Sequence, residues 1–250
     1  MILYNRLRAN PNLSFAPHTF IFAGKAAPAY HLAKLIIKLI NSVARVLEDD
    51  PSSRGRLTVV FVPEYNVSLA ERLIPASDIS EQISTAGYEA SGTSNMKFMM
   101  NGALTIGTRD GATIEIAREV GEDNIFLFGL TAGQHADSLG WYDPHWHYVH
   151  ESETREALDL IFSDFFNPGE PGIFAPIRDT LLTNGDHYRH LADLTSYAEA
   201  QARIATTCAD STALAQKAVI NIARSGRFSS DRTIREYATG IWNAEPSPVP

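Results

Sequence analysis

Within residues 89–108, Glu89-Ala-Ser-Gly-Thr-Ser-Asn-Met-Lys97 sets a carboxylate, a run of small polar residues and one lysine ahead of an apolar segment. Gly92 permits close approach of the backbone to a ligand, and Thr93, Ser94 and Asn95 offer hydroxyl, amide and N-cap partners. Helix starts favour phosphate, because their first N–H groups lack intrahelical partners. A lysine reacts with an aldehyde only when neutral, and a reference pKa of about 10.4 leaves under about 0.1% neutral at pH 7. Burial and the positive end of a helix both lower that value, and a lysine on the first turn of the helix after Thr93 is expected to have both. A phosphate cradle beside a reactive amine points to pyridoxal phosphate. The same string also fits an ordinary capped helix entry, with Lys97 an exposed helix lysine.

The elements that position this loop read as α/β. His18-Thr-Phe-Ile-Phe-Ala23, Leu57-Thr-Val-Val-Phe-Val62, Leu104-Thr-Ile-Gly-Thr108 and Asn124-Ile-Phe-Leu-Phe128 are strand-like, and the β-branched run at 57–62 marks a central parallel strand. Between the first two, Leu32, Leu35, Ile36, Leu39, Ile40, Val43 and Leu47 recur at helical spacing over residues 30–48. Further helices are expected at 1–8, 68–73, about 94–101 and 113–120. Strands alternating with helices imply right-handed βαβ units. Ligands in such sheets sit beyond the carboxyl ends of the strands, where residues 89–97 fall. From Asp137 the strand signal ends, and helical patterns occupy 153–165, 173–183, 192–207, 211–225 and 231–242. The expected organisation is a partial Rossmann-like parallel sheet over 1–136, a helical part over 137–243 and a disordered tail over 244–250. About four strands fall short of the six or so of a complete doubly wound sheet, so the chain reads as the latter part of a larger unit.

Composition excludes several classes. A net charge of −8 over 250 residues disfavours nucleic acid and anionic membrane surfaces as partners. No apolar run approaches the roughly 20 residues that span a bilayer, and residues 1–8 are too mixed for a signal peptide. Cys208 is the single cysteine, which rules out an intrachain disulfide. The two N-x-S strings, at Asn12 and Asn66, carry no weight without secretion, and the expected compartment is the cytoplasm.

Other motifs fall away. Ser94-Asn-Met-Lys97 matches S-x-x-K, but the S-D-N and K-T-G strings of penicillin-binding proteins do not occur. Gly24-Lys25 lacks the rest of a P-loop. His145, His147 and His150 alternate with aromatics and fit a packed loop better than a metal site, so no metal is expected.

The residues 89–98 closely resemble the cofactor-lysine signature of the α-glucan phosphorylases. Gly24-Lys-Ala-Ala-Pro-Ala-Tyr30, Ser80-Glu-Gln-Ile-Ser-Thr-Ala86, Asn101-Gly-Ala-Leu-Thr-Ile-Gly-Thr108, Asp110-Gly-Ala112 and Phe228-Ser-Ser-Asp-Arg-Thr-Ile234 resemble further blocks of that family, in order. The resemblance implies the second domain of a glycosyltransferase-B fold. It implies transfer of a glucosyl unit from an α-1,4-glucan to inorganic phosphate, giving α-glucose-1-phosphate with retention. Lys97 would anchor pyridoxal phosphate as a Schiff base, Gly92, Thr93 and Ser94 would cradle its phosphate, and Tyr65 would pack near its ring. Glu89, Ser91 and Gly92 would hold hydroxyls of the transferred glucose, and Tyr30 matches an aromatic at the cleft entrance that stacks on purine-type inhibitors in some members. The cofactor phosphate, rather than its ring, would take part in catalysis. Two phosphate charges about 5 Å apart repel by roughly 3 kcal/mol at an effective dielectric of 20, and sharing a proton relieves that repulsion. No glycosidase-like carboxylate pair is then needed.

The sequence departs from the family pattern at Ser94 (often glycine), Asn66 (arginine in some members) and Ala29 (frequently glycine). The family's basic phosphate-binding segment and its first domain have no counterpart in these residues. A homodimer and allosteric control are expected of a full-length member. The alternative expectation is a truncated, non-catalytic remnant that still binds the cofactor.

Overall fold

The apolar stripe of residues 30–48 forms helix α2 (His31–Asp49), which buries Leu35, Leu39, Val43 and Leu47 on one side. Their four-residue spacing lines one face, as a 3.6-residue period requires. The computed structural model describes residues 1–13, 16–245 and 247. Helix α2 connects two parallel strands, β1 (His18–Ala23) and β2 (Leu57–Val62), paired from His18 opposite Leu57 to Ala23 opposite Val62. Helix α1 (Ile2–Ala9) adds Tyr4 and Leu7 to the same core, which also takes Leu158, Ile161 and Ile177 from later helices and Phe174 from the turn before one of them.

A second parallel sheet holds the candidate site. Its order is β3 (Ile79–Gln82), β4 (Leu104–Thr108), β5 (Phe126–Phe128), with β4 in the centre and buried at every residue. Helix α4 (Ser94–Met100) connects β3 to β4, and α5 (Gly111–Val120) connects β4 to β5. Helix α3 (Val67–Leu73) lies between the two sheets in sequence.

The α/β class and the helical C-terminal region are as the sequence predicts, with two differences. The parallel strands form two sheets among the described residues, not one partial sheet. Five strands are present among the described residues, because Ile79–Gln82 pairs with Leu104–Gly107 despite its polar side chains.

The helical region comprises α6 (Ala132–Asp137), α7 (Pro144–His150), α8 (Ser152–Phe162), α9 (Ala175–Arg178), α10 (His190–Ala209), α11 (Ser211–Arg224) and α12 (Ser230–Tyr237). Wider turns at Asp179–Thr183 and Ala238–Trp242 extend α9 and α12. Residues 145–150, expected as a packed loop, are instead helix α7. Asp143 caps it through His145 N at 2.9 Å, and Pro144 suits its first position. Helix α10 links the two sheets, since Leu191 joins the first core while Ala200 and Ile204 pack on β4 and β5. No helix of the described residues is long and apolar enough to cross a membrane. Most of the expected disordered tail, 244–250, lies outside the described residues.

Candidate functional site

Parallel strands send their carboxyl ends to one side of a sheet, so the loops after β3, β4 and β5 gather at one edge. The loop after β3 carries residues 83–93. At Gly92 the backbone takes φ +82°, and a Cβ there would lie 3.0 Å from Asn95 Nδ2, whose residue is buried. Only glycine meets both conditions without strain. Thr93 then occupies the N-cap of α4 but caps no amide with its side chain. In the first turn the Met96 N–H donates to Asn95 Oδ1 at 3.0 Å, which leaves the Thr93 hydroxyl and the Ser94 and Asn95 N–H groups available to an outside acceptor.

Thr93 and Lys97 are four residues apart and Ser94 and Lys97 three apart, which places all three along one face of α4. Ser94 Oγ donates to Gln82 Oε1 at 3.3 Å, and Gln82 Nε2 donates to Ser80 Oγ at 2.9 Å. That bond ties the start of α4 back to β3. It also leaves Ser94 engaged with Gln82, not paired with Lys97 as an S-x-x-K nucleophile. The burial and helix-start placement expected for Lys97 are not found. Its side chain is exposed and stands in the last turn of the seven-residue α4.

Glu89 is half-buried, and Ser84 Oγ donates to its Oε2 at 2.9 Å. Its backbone N–H donates to Asp110 Oδ2 at 2.7 Å, as does that of Tyr88 at 3.1 Å. Ser91 is exposed, while its carbonyl accepts from Ala112 N at 3.0 Å. Sequence reasoning gave Ser84 and Asp110 no role. The signal available was Asp110-Gly111 after a strand, which reads as a helix cap.

Tyr65 is half-buried in the loop after β2, and Tyr30 is exposed at the N-cap of α2, in the loop after β1. Both follow strand carboxyl ends, but of the first sheet. Among the described residues no hydrogen bond or ring contact joins either to residues 89–97. Asn66 has a local reason to be present: it caps α3 by accepting from Leu69 N at 3.1 Å. On α7, His147 Nδ1 meets Glu151 Oε1 at 2.8 Å, and His150 stacks on Trp146 with centroids 4.8 Å apart. Among the described residues no group of three or more His, Cys, Asp or Glu side chains is arranged to hold a metal ion.

Comparison with known proteins gives this edge its context. The family model described as carbohydrate phosphorylase matches residues 1–244. A glycogen phosphorylase of Synechocystis sp. is 52% identical over 245 residues, 98% of this chain and 29% of that protein. A Bacillus subtilis glycogen phosphorylase is 51% identical over 98% of this chain, and the human brain form is 49% identical over the same share. The chain thus spans about three tenths of the length of these curated relatives. With a family model covering nearly every residue, this chain belongs to the carbohydrate phosphorylases.

Proposed function

We propose that this chain is the cofactor-anchoring part of an α-1,4-glucan phosphorylase, which converts glucan and inorganic phosphate to α-glucose-1-phosphate and a shortened glucan. The observation that carries this reading is the shared face of Thr93, Ser94 and Lys97 on a helix whose N-cap residue, Thr93, makes no side-chain cap. These residues fit pyridoxal phosphate. The Thr93 hydroxyl and the Ser94 and Asn95 N–H groups suit its phosphate, the Lys97 amine stands along the same helix face for its aldehyde, and Gly92 leaves room that a Cβ would fill.

When bound, the cofactor supplies a phosphate group that can exchange a proton with the substrate phosphate. The protein residues divide the remaining work. Lys97 holds the cofactor, while Gly92, Thr93 and Ser94 orient its phosphate. The Glu89 carboxylate accepts from glucose hydroxyls, and the Ser91 and Gly92 backbones line the same sugar. Glu89 acts as an orienting group rather than as an acid, since no second carboxylate at glycosidase spacing is required. Tyr65 is assigned to the cofactor ring and Tyr30 to the cleft entrance by family resemblance. Cytoplasmic location and a homodimer of the complete protein belong to the same reading.

A second reading is favoured by two facts: the Lys97 side chain is exposed, and the chain spans only 29% of a typical relative. On this reading the isolated chain binds the cofactor but does not complete the site. Phosphate release from glucose-1-phosphate and a maltooligosaccharide primer separates the two, with little or none expected from the isolated chain. Robust turnover would remove the second reading. Borohydride reduction in the presence of pyridoxal phosphate, followed by peptide mapping, is expected to label Lys97. Labelling confined to other lysines would overturn the anchor assignment.

A further inference from the structure

We infer that Asp110 and Ser84 are positioning residues that together fix the Glu89 carboxylate for sugar binding. The inference rests on the reading of Glu89 as a glucose ligand given above.

Asp110 stands at the N-cap of the ten-residue α5, where an aspartate ordinarily accepts an N–H of the second or third helical residue. It makes no such bond. Its Oδ2 instead accepts the backbone N–H groups of Tyr88 and Glu89, at 3.1 and 2.7 Å. A cap of this kind contributes about 1 kcal/mol to its own helix. Here the carboxylate serves a loop 21 residues earlier in the chain.

The first turn of α5 grips the same loop twice more. Ala112 N–H donates to Ser91 O at 3.0 Å. Gly111, at φ +49°, would carry a Cβ 3.0 Å from Ser91 O and 3.1 Å from Glu89 Cγ. A side chain at 111 would therefore press on both sugar-facing residues, and glycine is what lets Glu89 lie against the helix start.

The other end of Glu89 is held by Ser84, whose Oγ donates to Oε2 at 2.9 Å. Ser84 is itself anchored, because its carbonyl accepts from Thr108 Oγ1 at 2.6 Å, at the end of β4. Glu89 is thus fixed through its amide by Asp110 and through one carboxylate oxygen by Ser84. Its Oε1 makes no hydrogen bond among the described residues and remains free to accept from a ligand hydroxyl. A carboxylate held in this way loses little side-chain freedom on binding, which is the physical meaning of preorganisation.

A purely structural role for Asp110 would alter stability without altering substrate handling, so the test reads both. Amide exchange of this chain is compared with and without Asp110→Asn, and Asp110→Asn, Ser84→Ala and Ser84→Thr are assayed in a complete phosphorylase carrying these residues. There Asp110→Asn is expected to raise KM for glucose-1-phosphate as Ser84→Ala does. Asp110→Asn is expected to speed exchange of the Tyr88 and Glu89 amides by about tenfold or more, with the buried Met99 amide unchanged. Ser84→Ala is expected to raise KM for glucose-1-phosphate and lower kcat/KM by about tenfold, with bound pyridoxal phosphate retained. Ser84→Thr, which keeps the hydroxyl, is expected to recover most of that loss. Unchanged exchange in Asp110→Asn, or wild-type kcat/KM in Ser84→Ala beside an active parent, would overturn the inference alone. A parent without phosphorolysis would overturn the functional reading and this inference with it.

Discussion

The Tyr197 hydroxyl donates to Glu81 Oε1 at 2.8 Å, joining α10 to β3 across 116 residues of sequence. Gln201 Nε2 donates to the same oxygen at 2.7 Å and to Tyr197 Oη at 2.8 Å. This triad holds the polar strand β3 in the sheet and so sets where the loop carrying Glu89 begins.

Burial pushes the Glu81 carboxyl above its ordinary 4.5, against the lowering effect of Tyr197 and Gln201. The folded state therefore retains a proton that the unfolded chain has lost. Stability from this group is full below about 4.5 and is lost as pH rises through the raised folded value. Glu81→Gln, which removes the titration, is expected to gain stability relative to wild type on going from pH 4.5 to pH 7. Urea unfolding at both pH values measures this, and a pH-independent difference between the two proteins would contradict it.

The Tyr4–Asp50 pair responds in the opposite direction. Tyr4 is buried against the rings of Phe165 and Phe166, and its hydroxyl donates to Asp50 Oδ2 at 2.6 Å. Burial first, then the Asp50 bond, pushes Tyr4 up to about 12, while the Tyr4 bond holds Asp50 below its ordinary 3.8. The Asp50 contribution is present above about 3.8 and is lost as pH falls through its folded value. Tyr4→Phe is expected to cost about 1–2 kcal/mol at pH 7, with the cost shrinking below that window. Thermal melts of both proteins at pH 7 and pH 3 test this, and an undiminished difference at pH 3 would count against it.

What the sequence made legible follows physical range. Helix α2 and strands β2 and β4 declare themselves through period and β-branching, which are local properties. Strand β3 does not, because Ser80, Glu81 and Gln82 are polar, and Glu81 finds its partners only after α10 folds back. Helix α7 is signalled locally by Asp143-Pro144, whereas the alternation of histidines and aromatics over 145–150 also fits a packed loop. At the site, the contiguous residues 89–97 were legible as a group. The hold of Asp110 on Tyr88 and Glu89 was not, because it needs β3 and β4 paired so that Gln82 lies opposite Gly107. Nor does helical spacing reveal which face of α4 is covered, and Lys97 lies on the exposed one.

Gly92→Ala tests the phosphate cradle without relying on turnover. The substitution puts a Cβ 3.0 Å from the buried Asn95 amide at φ +82°. A left-handed non-glycine residue costs about 1–2 kcal/mol, so the loop is expected to shift. Borohydride trapping of pyridoxal phosphate at Lys97 should fall by about tenfold at subsaturating cofactor, as 1.4 kcal/mol of binding implies. Circular dichroism should remain that of wild type. Equal trapping at equal cofactor concentration would show that the turn at Gly92 does not shape the site.

Behind the site, Asp186 is 1% exposed and accepts from Tyr142 Oη at 2.7 Å and from Leu191 N at 2.8 Å, while its Oδ1 is buried without a protein partner. Arg189 lies 4.4 Å over the Tyr142 ring and donates to Ser138 Oγ at 3.1 Å. Burial first, then the Asp186 bond, raises the pKa of Tyr142. Tyr142→Phe keeps the ring beneath Arg189 but deprives a buried carboxylate of one of two donors, at an expected cost of about 1–3 kcal/mol. If that cost arises from the stranded charge, Asp186→Asn should make the second substitution milder. The double variant is then expected to be less destabilised than the sum of the single ones by about 0.5–3 kcal/mol. Urea denaturation of the four proteins decides the matter. Strict additivity would mean that the Tyr142 hydroxyl does not act through Asp186.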